Sequence, residues 1–320
     1  MIASGSGFSC IYGSVRITAR LRSSPSLTCS PRWSPLFLER YRNLPEGFQG
    51  HIISHLNTVL RVIVGAALAL VFIILLWIGG EAFSLAVMLF VLGAQWEFYG
   101  LGQVGGARPY RLTGMAAGLA LMIYAHYRGI DAGALALIAA SSFILLGIHP
   151  FIAGAEGRDW KDASLSVTGY LYTAIPGAIA ISLRQSESLA VSAFPFLVVW
   201  AFDIFAFFTG KAFGKRKHRI FPRISPEKSW EGLAGGLVLA CGAGALVNMI
   251  LGWPWHKAIA VAGVVALIGH IGDFFESSVK RDVGVKDSSR LLPGHGGILD
   301  RLDALLFAIP AYYLILNLWK

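Results

Sequence analysis

About nine apolar segments punctuate this chain, at roughly 58–78, 82–100, 112–127, 133–149, 165–183, 189–209, 232–252, 256–272 and 302–319. Most approach the length of about 20 residues that a helix needs to cross a bilayer core about 30 Å thick. The third, fourth and eighth are short or carry polar residues. Hydrophobic residues make up 55% of the sequence and charged residues only 14%, which is the balance of a membrane protein rather than a soluble domain. The expected fold class is therefore all-α: a polytopic integral membrane protein with about nine transmembrane helices embedded in a lipid bilayer.

Two function classes recede at once. Cys10, Cys29 and Cys241 are an odd, scattered set without metal-ligand or disulfide spacing, so redox chemistry is not indicated. The net charge of +9 sits in loops between apolar spans, where it reads as membrane orientation and not as a nucleic-acid surface. Residues 1–50 are rich in Ser, Arg and Pro, and their first acid is Glu39. They lack the continuous apolar run of a secretory signal and read as a disordered extension or an upstream start, ahead of an organellar transit peptide.

The loop from Gly210 to Glu231 holds Lys211, Lys215, Arg216, Lys217, Arg219, Arg223 and Lys228 against Glu227 and Glu231. The positive-inside rule puts it in the cytoplasm. Two spans later the run from Gly272 to Asp303 returns to the same side, and the same count puts the N-terminus inside and Lys320 outside. A bacterial inner membrane is the expected location, ahead of an organellar one.

That second run carries the chemistry. Burying ionisable groups beside lipid is costly unless they are paired or liganded. On a helix, Asp273, Glu276, Ser277 and Lys280 share one face, giving two carboxylates, a hydroxyl and an ammonium in line. Asp300 and Asp303 share a face at the start of the last span, where the helix dipole alone accounts for Asp303. Hard oxygen ligands from two helices suit a Mg²⁺ ion bound to substrate phosphates, so Asp273 and Asp300 are the first metal candidates, with Asp203, Glu276 and Asp303 behind them. Pro293, Gly294, His295, Gly296 and Gly297 lead into that last helix, and adjacent glycines let backbone N–H groups converge on an anion. With Lys280, Arg281, Lys286 and Arg290 they make a candidate polyphosphate cradle, in which His295 is a general acid or a hydrogen-bond donor.

Three further features lie upstream. Asp203 is an acid among aromatics inside the sixth span, which by default marks a functional site. Ser225, Pro226 and Glu227 read as an N-cap and helix start, with Lys228 at the mouth of the seventh span. Gly232, Gly235 and Gly236 suggest close helix packing, within or between chains. Glu97, beside Trp96 at the cytoplasmic end of the second span, is the one notable acid of the first five spans; it reads as a solvated interfacial acid ahead of a site residue.

Together these residues resemble the CDP-diacylglycerol synthase family, also called phosphatidate cytidylyltransferase. Its pattern Ser-x-x-Lys-Arg, Lys-Asp, Pro-Gly-His-Gly-Gly and Asp-Arg-x-Asp is met by Ser277, Lys280, Arg281, Lys286, Asp287, Pro293 to Gly297, Asp300, Arg301 and Asp303. The Ser225-Pro226-x-Lys228-x-x-Glu231-Gly232 element and the Asp203 span are also similar, so the resemblance covers roughly residues 55–320. One departure is Phe207, where the family often has Tyr.

The resemblance implies that CTP and phosphatidate give CDP-diacylglycerol and pyrophosphate, with Mg²⁺ and a monovalent cation such as K⁺ as cofactors. The small-residue spacing of Gly232 and Gly236 leaves a homodimer open as an assembly. The resemblance also implies catalytic roles for Asp273, Asp300, Lys280 and His295, and substrate contacts from Ser225, Lys228, Ser277, Arg281, Lys286, Asp287, Gly296, Gly297 and Arg301. Residues 51–190 then form a transmembrane scaffold and 191–320 a catalytic transmembrane region with loops 210–231 and 272–301. A transporter would instead spread polar residues through several spans near the midplane. Here they crowd at one edge.

Overall fold

Each apolar segment is helical where it can be described, because a backbone in lipid must satisfy its own N–H and C=O groups. The computed structural model describes residues 65–151, 159–215, 218–292 and 296–319. Among them run nine helices: α1 (Gly65–Ile78), α2 (Gly80–Val104), α3 (Arg111–Arg128), α4 (Ala132–Gly147), α5 (Trp160–Ser186), α6 (Leu189–Phe213), α7 (Trp230–Leu251), α8 (Trp255–Asp282) and α9 (Leu299–Leu318). Six of these stretches are long and apolar enough to cross a bilayer: α2, α4 with the turn to Phe151, and α5 to α8. The described residues contain no extended strand, only the isolated bridges Arg219–Ser229 and Leu292–Gly296. Residues 1–50, read above as an Arg/Ser-rich extension, lie outside the described residues, as do Pro293, Gly294 and His295.

Two boundaries differ from the sequence reading in ways that matter for the site. The eighth apolar segment ends near Gly272, yet α8 continues to Asp282. Its polar continuation pairs Ser277 with Asp273 and Lys280 with Glu276 at spacing four, so the helix does not stop where the apolar run does. The seventh helix starts at Trp230 with Ser229 as its N-cap, accepting from Gly232 N at 3.2 Å, and not at Ser225. Ser225, Pro226 and Glu227 form a turn instead, because Lys228 O is taken by Ile220 N at 3.2 Å, which folds the segment back on itself.

Small residues set the two seams that frame the site. A Cβ on Gly232 would stand 2.8 Å from Ala206 O, and one on Gly236 would stand 2.9 Å from Phe202 O, so the glycine stripe of α7 packs on α6 within the chain. On α8, a Cβ on Gly272 would fall 2.6 Å from Asp303 O and 3.0 Å from Phe307 Cβ. That close approach of α8 to α9 brings the acidic start of α9 against the polar stripe of α8. Helices α2 and α3 pack on α5, and α9 also touches α2, α5 and α6, so the last helix is central to the bundle. Phe194 and Tyr312, stacked at 5.3 Å, fill its core end, where Tyr312 Oη donates to Val191 O at 2.9 Å.

Candidate active site

The stripe expected on α8 is formed. Ser277 Oγ donates to Asp273 Oδ1 at 3.3 Å, and one turn further Lys280 pairs with Glu276. Lys280 is buried, with 8% of its surface exposed, and a desolvated ammonium needs anions around it. It has two: its Nζ also lies 2.6 Å from Asp300 Oδ1, across the seam with α9. The two carboxylates it joins are themselves adjacent.

Asp300 is held from several sides. Its Oδ2 accepts from Gly297 N at 2.7 Å, from Ser288 N at 3.0 Å and lies 3.0 Å from Ser288 Oγ. Gly296 has φ +76°, and a Cβ there would meet Asp300 Oδ2 at 2.5 Å, so the turn into α9 needs glycine at this position. The glycine pair expected to face a substrate anion therefore cradles a carboxylate of the protein itself, with Gly297 N as donor. Glu97 does the same one residue on. It accepts from Ile298 N at 3.0 Å and Leu299 N at 2.8 Å, and from the hydroxyls of Ser289 at 2.6 Å and Ser288 at 2.9 Å.

The basic loop before α7 supplies the other cation. Lys228 Nζ stands 2.5 Å from Asp273 Oδ2 and 4.2 Å from the centroid of the Phe274 ring, a cation–π contact that fixes its direction. The loop is braced by His218 Nδ1 on Glu231 Oε1 at 2.5 Å, by Arg219 donating to Glu227 O, and by Arg281 Nε donating to Ile224 O at 3.2 Å. Arg281 thus ties the end of α8 to the turn that carries Ser225.

A cavity of about 480 Å³ opens beside this cluster, walled by α1, α2, α5, α6 and α9. Its lining is mostly apolar, with Leu75, Phe83, Val87, Phe196 and Leu305 among the walls. Asp203, Asp300, Arg301 and Asp303 line its polar part. Asp303 is within electrostatic reach of Asp203 on α6 and of Asp273 and Glu276 on α8. Tyr172 reaches the same region from α5 between Phe275 and Phe307, and its buried hydroxyl has no hydrogen-bond partner among the described residues.

No group of three or more His, Cys, Asp or Glu side chains among the described residues is already drawn together as a metal cage. The donor set nonetheless suits a hard divalent cation. Acids outnumber the buried cations that face them, and Glu276 Oε1 is buried without a hydrogen-bond partner, an oxygen that a bound cation would satisfy.

Asp203, Lys228, Asp273, Glu276, Ser277, Lys280, Asp300, Arg301 and Asp303 thus converge on one end of the α6–α9 bundle. Lys286 and Asp287 are exposed on the loop after α8, and Arg290 with them. His295 lies outside the described residues. Sequence reasoning passed over Ser288, Ser289 and Tyr172, and for Glu97 it preferred solvation to a site role although only 5% of the residue is exposed. One signal was available for Glu97: it is the lone acid near the end of its span, with no cation three or four positions away to pair it.

The sequence pattern of the cytidylyltransferase family matches residues 59–319, which takes in every helix that builds this cluster. The chain belongs to that family. Among its relatives, a protein of Brucella abortus named phosphatidate cytidylyltransferase is 35% identical over 268 residues, covering 82% of this chain and 93% of the relative. One of the same name from Pseudomonas aeruginosa is 34% identical over 248 residues, covering 74% and 88%. Another from Bacillus subtilis is 28% identical over 268 residues, covering 81% and 98%.

Proposed function

We propose that the protein transfers the cytidylyl group of CTP to phosphatidate, giving CDP-diacylglycerol and pyrophosphate, at the seam of α8 and α9. One observation carries this reading: a cluster of paired cations and carboxylates meets a largely apolar cavity, so a polyanionic nucleotide and the head of a lipid can share one site. The family and the names of its members supply the chemistry.

An oxygen of the phosphatidate phosphate forms a bond to the α-phosphorus of CTP as the bond to the bridging oxygen breaks, and pyrophosphate leaves with the electron pair. The nucleophile is already anionic, so no strong base is needed. The work is to hold two polyanions together and neutralise their repulsion. Arg301, beside the cavity, would take the lipid phosphate while the acyl chains occupy the apolar walls. Lys228, Lys280, Arg281 and Lys286 would hold the triphosphate, with Ser225, Ser277, Asp287 and His295 around it, while Gly296 and Gly297 hold Asp300 in place.

Asp273 and Asp300 are the proposed holders of Mg²⁺, with Asp203, Glu276 and Asp303 grouped behind them and a monovalent cation such as K⁺ alongside. Mg²⁺, when bound, supplies charge neutralisation between the two substrates and polarises the phosphoryl oxygens. The cationic loop before α7 supports a cytoplasmic face for the cluster, in a bacterial inner membrane with the N-terminus inside. Purified protein given labelled CTP, phosphatidate and Mg²⁺ is expected to form a labelled liponucleotide. Product from another lipid phosphate, with none from phosphatidate, would overturn the substrate assignment.

A further inference from the structure

The first N–H groups of a helix have no partner within it and attract an anion. At α9 the capping residue is Ile298, whose side chain offers none. The anion comes instead from α2. Glu97 accepts from Ile298 N at 3.0 Å, Leu299 N at 2.8 Å, Ser289 Oγ at 2.6 Å and Ser288 Oγ at 2.9 Å, four donors on one buried carboxylate. A Cβ on Gly297 would lie 2.1 Å from Ser288 Oγ and 2.3 Å from Glu97 Oε2, so the chain can pass this point only as glycine.

Ser288 links this cap to the reaction site. Its hydroxyl lies 2.9 Å from Glu97 Oε2 and 3.0 Å from Asp300 Oδ2, and its single proton can serve only one of them at a time. Asp300 Oδ1 then meets Lys280, and Lys280 meets Glu276. The contacts form one continuous line, Glu97–Ser288–Asp300–Lys280–Glu276, from α2 through the loop and α9 to α8.

We propose that Glu97 is a positioning residue of the reaction. It would touch no substrate, and would hold Ser288, Ser289 and the start of α9 so that Asp300 faces Lys280. The proposal rests on the reading that Lys280 and Asp300 belong to the reaction site. A carboxylate that served only as a helix cap would affect folding and leave the turnover of each folded molecule unchanged. Glu97 instead governs the orientation of Asp300, so its loss acts on kcat, while the phosphatidate cavity keeps its walls on α1, α5 and α6.

The test uses the isosteric Glu97→Gln, which places an amide donor against donors, together with Ser288→Ala and the double variant. For each, kcat and KM for both substrates are measured per folded protein, with thermal unfolding in detergent alongside. The expected result for Glu97→Gln is a fall in kcat of about tenfold or more with the KM for phosphatidate within about twofold. The double variant should be no worse than the poorer single one, because both act on Asp300. An unchanged kcat per folded molecule, or effects that multiply independently, would overturn the proposal. Lys280→Met and Asp300→Asn run beside it: full activity in those two defeats the site reading, whereas their inactivity with an unaffected Glu97→Gln defeats this inference alone.

Discussion

Lys280 Nζ stands 2.6 Å from Asp300 Oδ1 and also pairs with Glu276, so one ammonium joins carboxylates from two helices. Removing a partner from a buried ionic group costs about 3–5 kcal/mol, because the charges left behind are uncompensated. Lys280→Met is therefore expected to abolish turnover and to lower the unfolding temperature in detergent. Lys280→Arg, which keeps the charge, should retain more of the stability than of the activity. A Lys280→Met protein as stable as the parent would mean that the two carboxylates do not depend on this cation.

The seam itself can be tested without touching a charge. A methyl group at Gly272 would press on Asp303 O at 2.6 Å, backbone that cannot swing aside, whereas one at Gly242 meets nothing within 4 Å. Overpacking of this kind costs about 1–3 kcal/mol. Gly272→Ala is expected to lose both stability and activity, and Gly242→Ala to behave like the parent in the same thermal and turnover assays. Equal behaviour of the two would show that α8 and α9 are less closely apposed.

Tyr172 offers a one-atom probe. Its hydroxyl is buried without a hydrogen-bond partner among the described residues, which costs about 1–3 kcal/mol relative to its absence. Tyr172→Phe should unfold at the same temperature as the parent or higher. If the hydroxyl serves bound substrate, kcat drops by roughly tenfold, the size of one lost hydrogen bond. Parent-like kcat would mark the hydroxyl as idle.

Lys228 lies 2.5 Å from Asp273 and reaches the cluster from a different loop. A charge-assisted hydrogen bond contributes about 1.5–3 kcal/mol, so Lys228→Gln should reduce kcat/KM for CTP by about 10- to 100-fold. The KM for phosphatidate should change much less. Steady-state kinetics with each substrate varied in turn separates the two, and a loss confined to phosphatidate would reassign the lysine to the lipid.

The sequence made the helices legible because lipid leaves a hydrophobic run few alternatives. Asp273, Glu276, Ser277 and Lys280 could be placed on one face from spacing alone, and they do share it. The glycines of α7 signalled a close seam, although only the fold shows that α6 fills it. What spacing could not reveal was pairing at long range. Glu97 meets Leu299 across 202 positions, and nothing local to either residue specifies the other. Ser225 was misread as a helix start because its local signals are those of an N-cap, while the pairing of Ile220 with Lys228 decides that segment.

The most direct measurement compares the parent protein and Asp273→Asn, both reconstituted in lipid bilayers, by formation of labelled CDP-diacylglycerol from labelled CTP and phosphatidate with Mg²⁺. Asp273 joins the α8 stripe to Lys228 and is the first of the proposed metal holders. The parent is predicted to release pyrophosphate and liponucleotide in equal amounts, and Asp273→Asn to form neither while unfolding at a temperature close to that of the parent. Parent-like turnover in Asp273→Asn would contradict the assignment of this seam as the site of reaction.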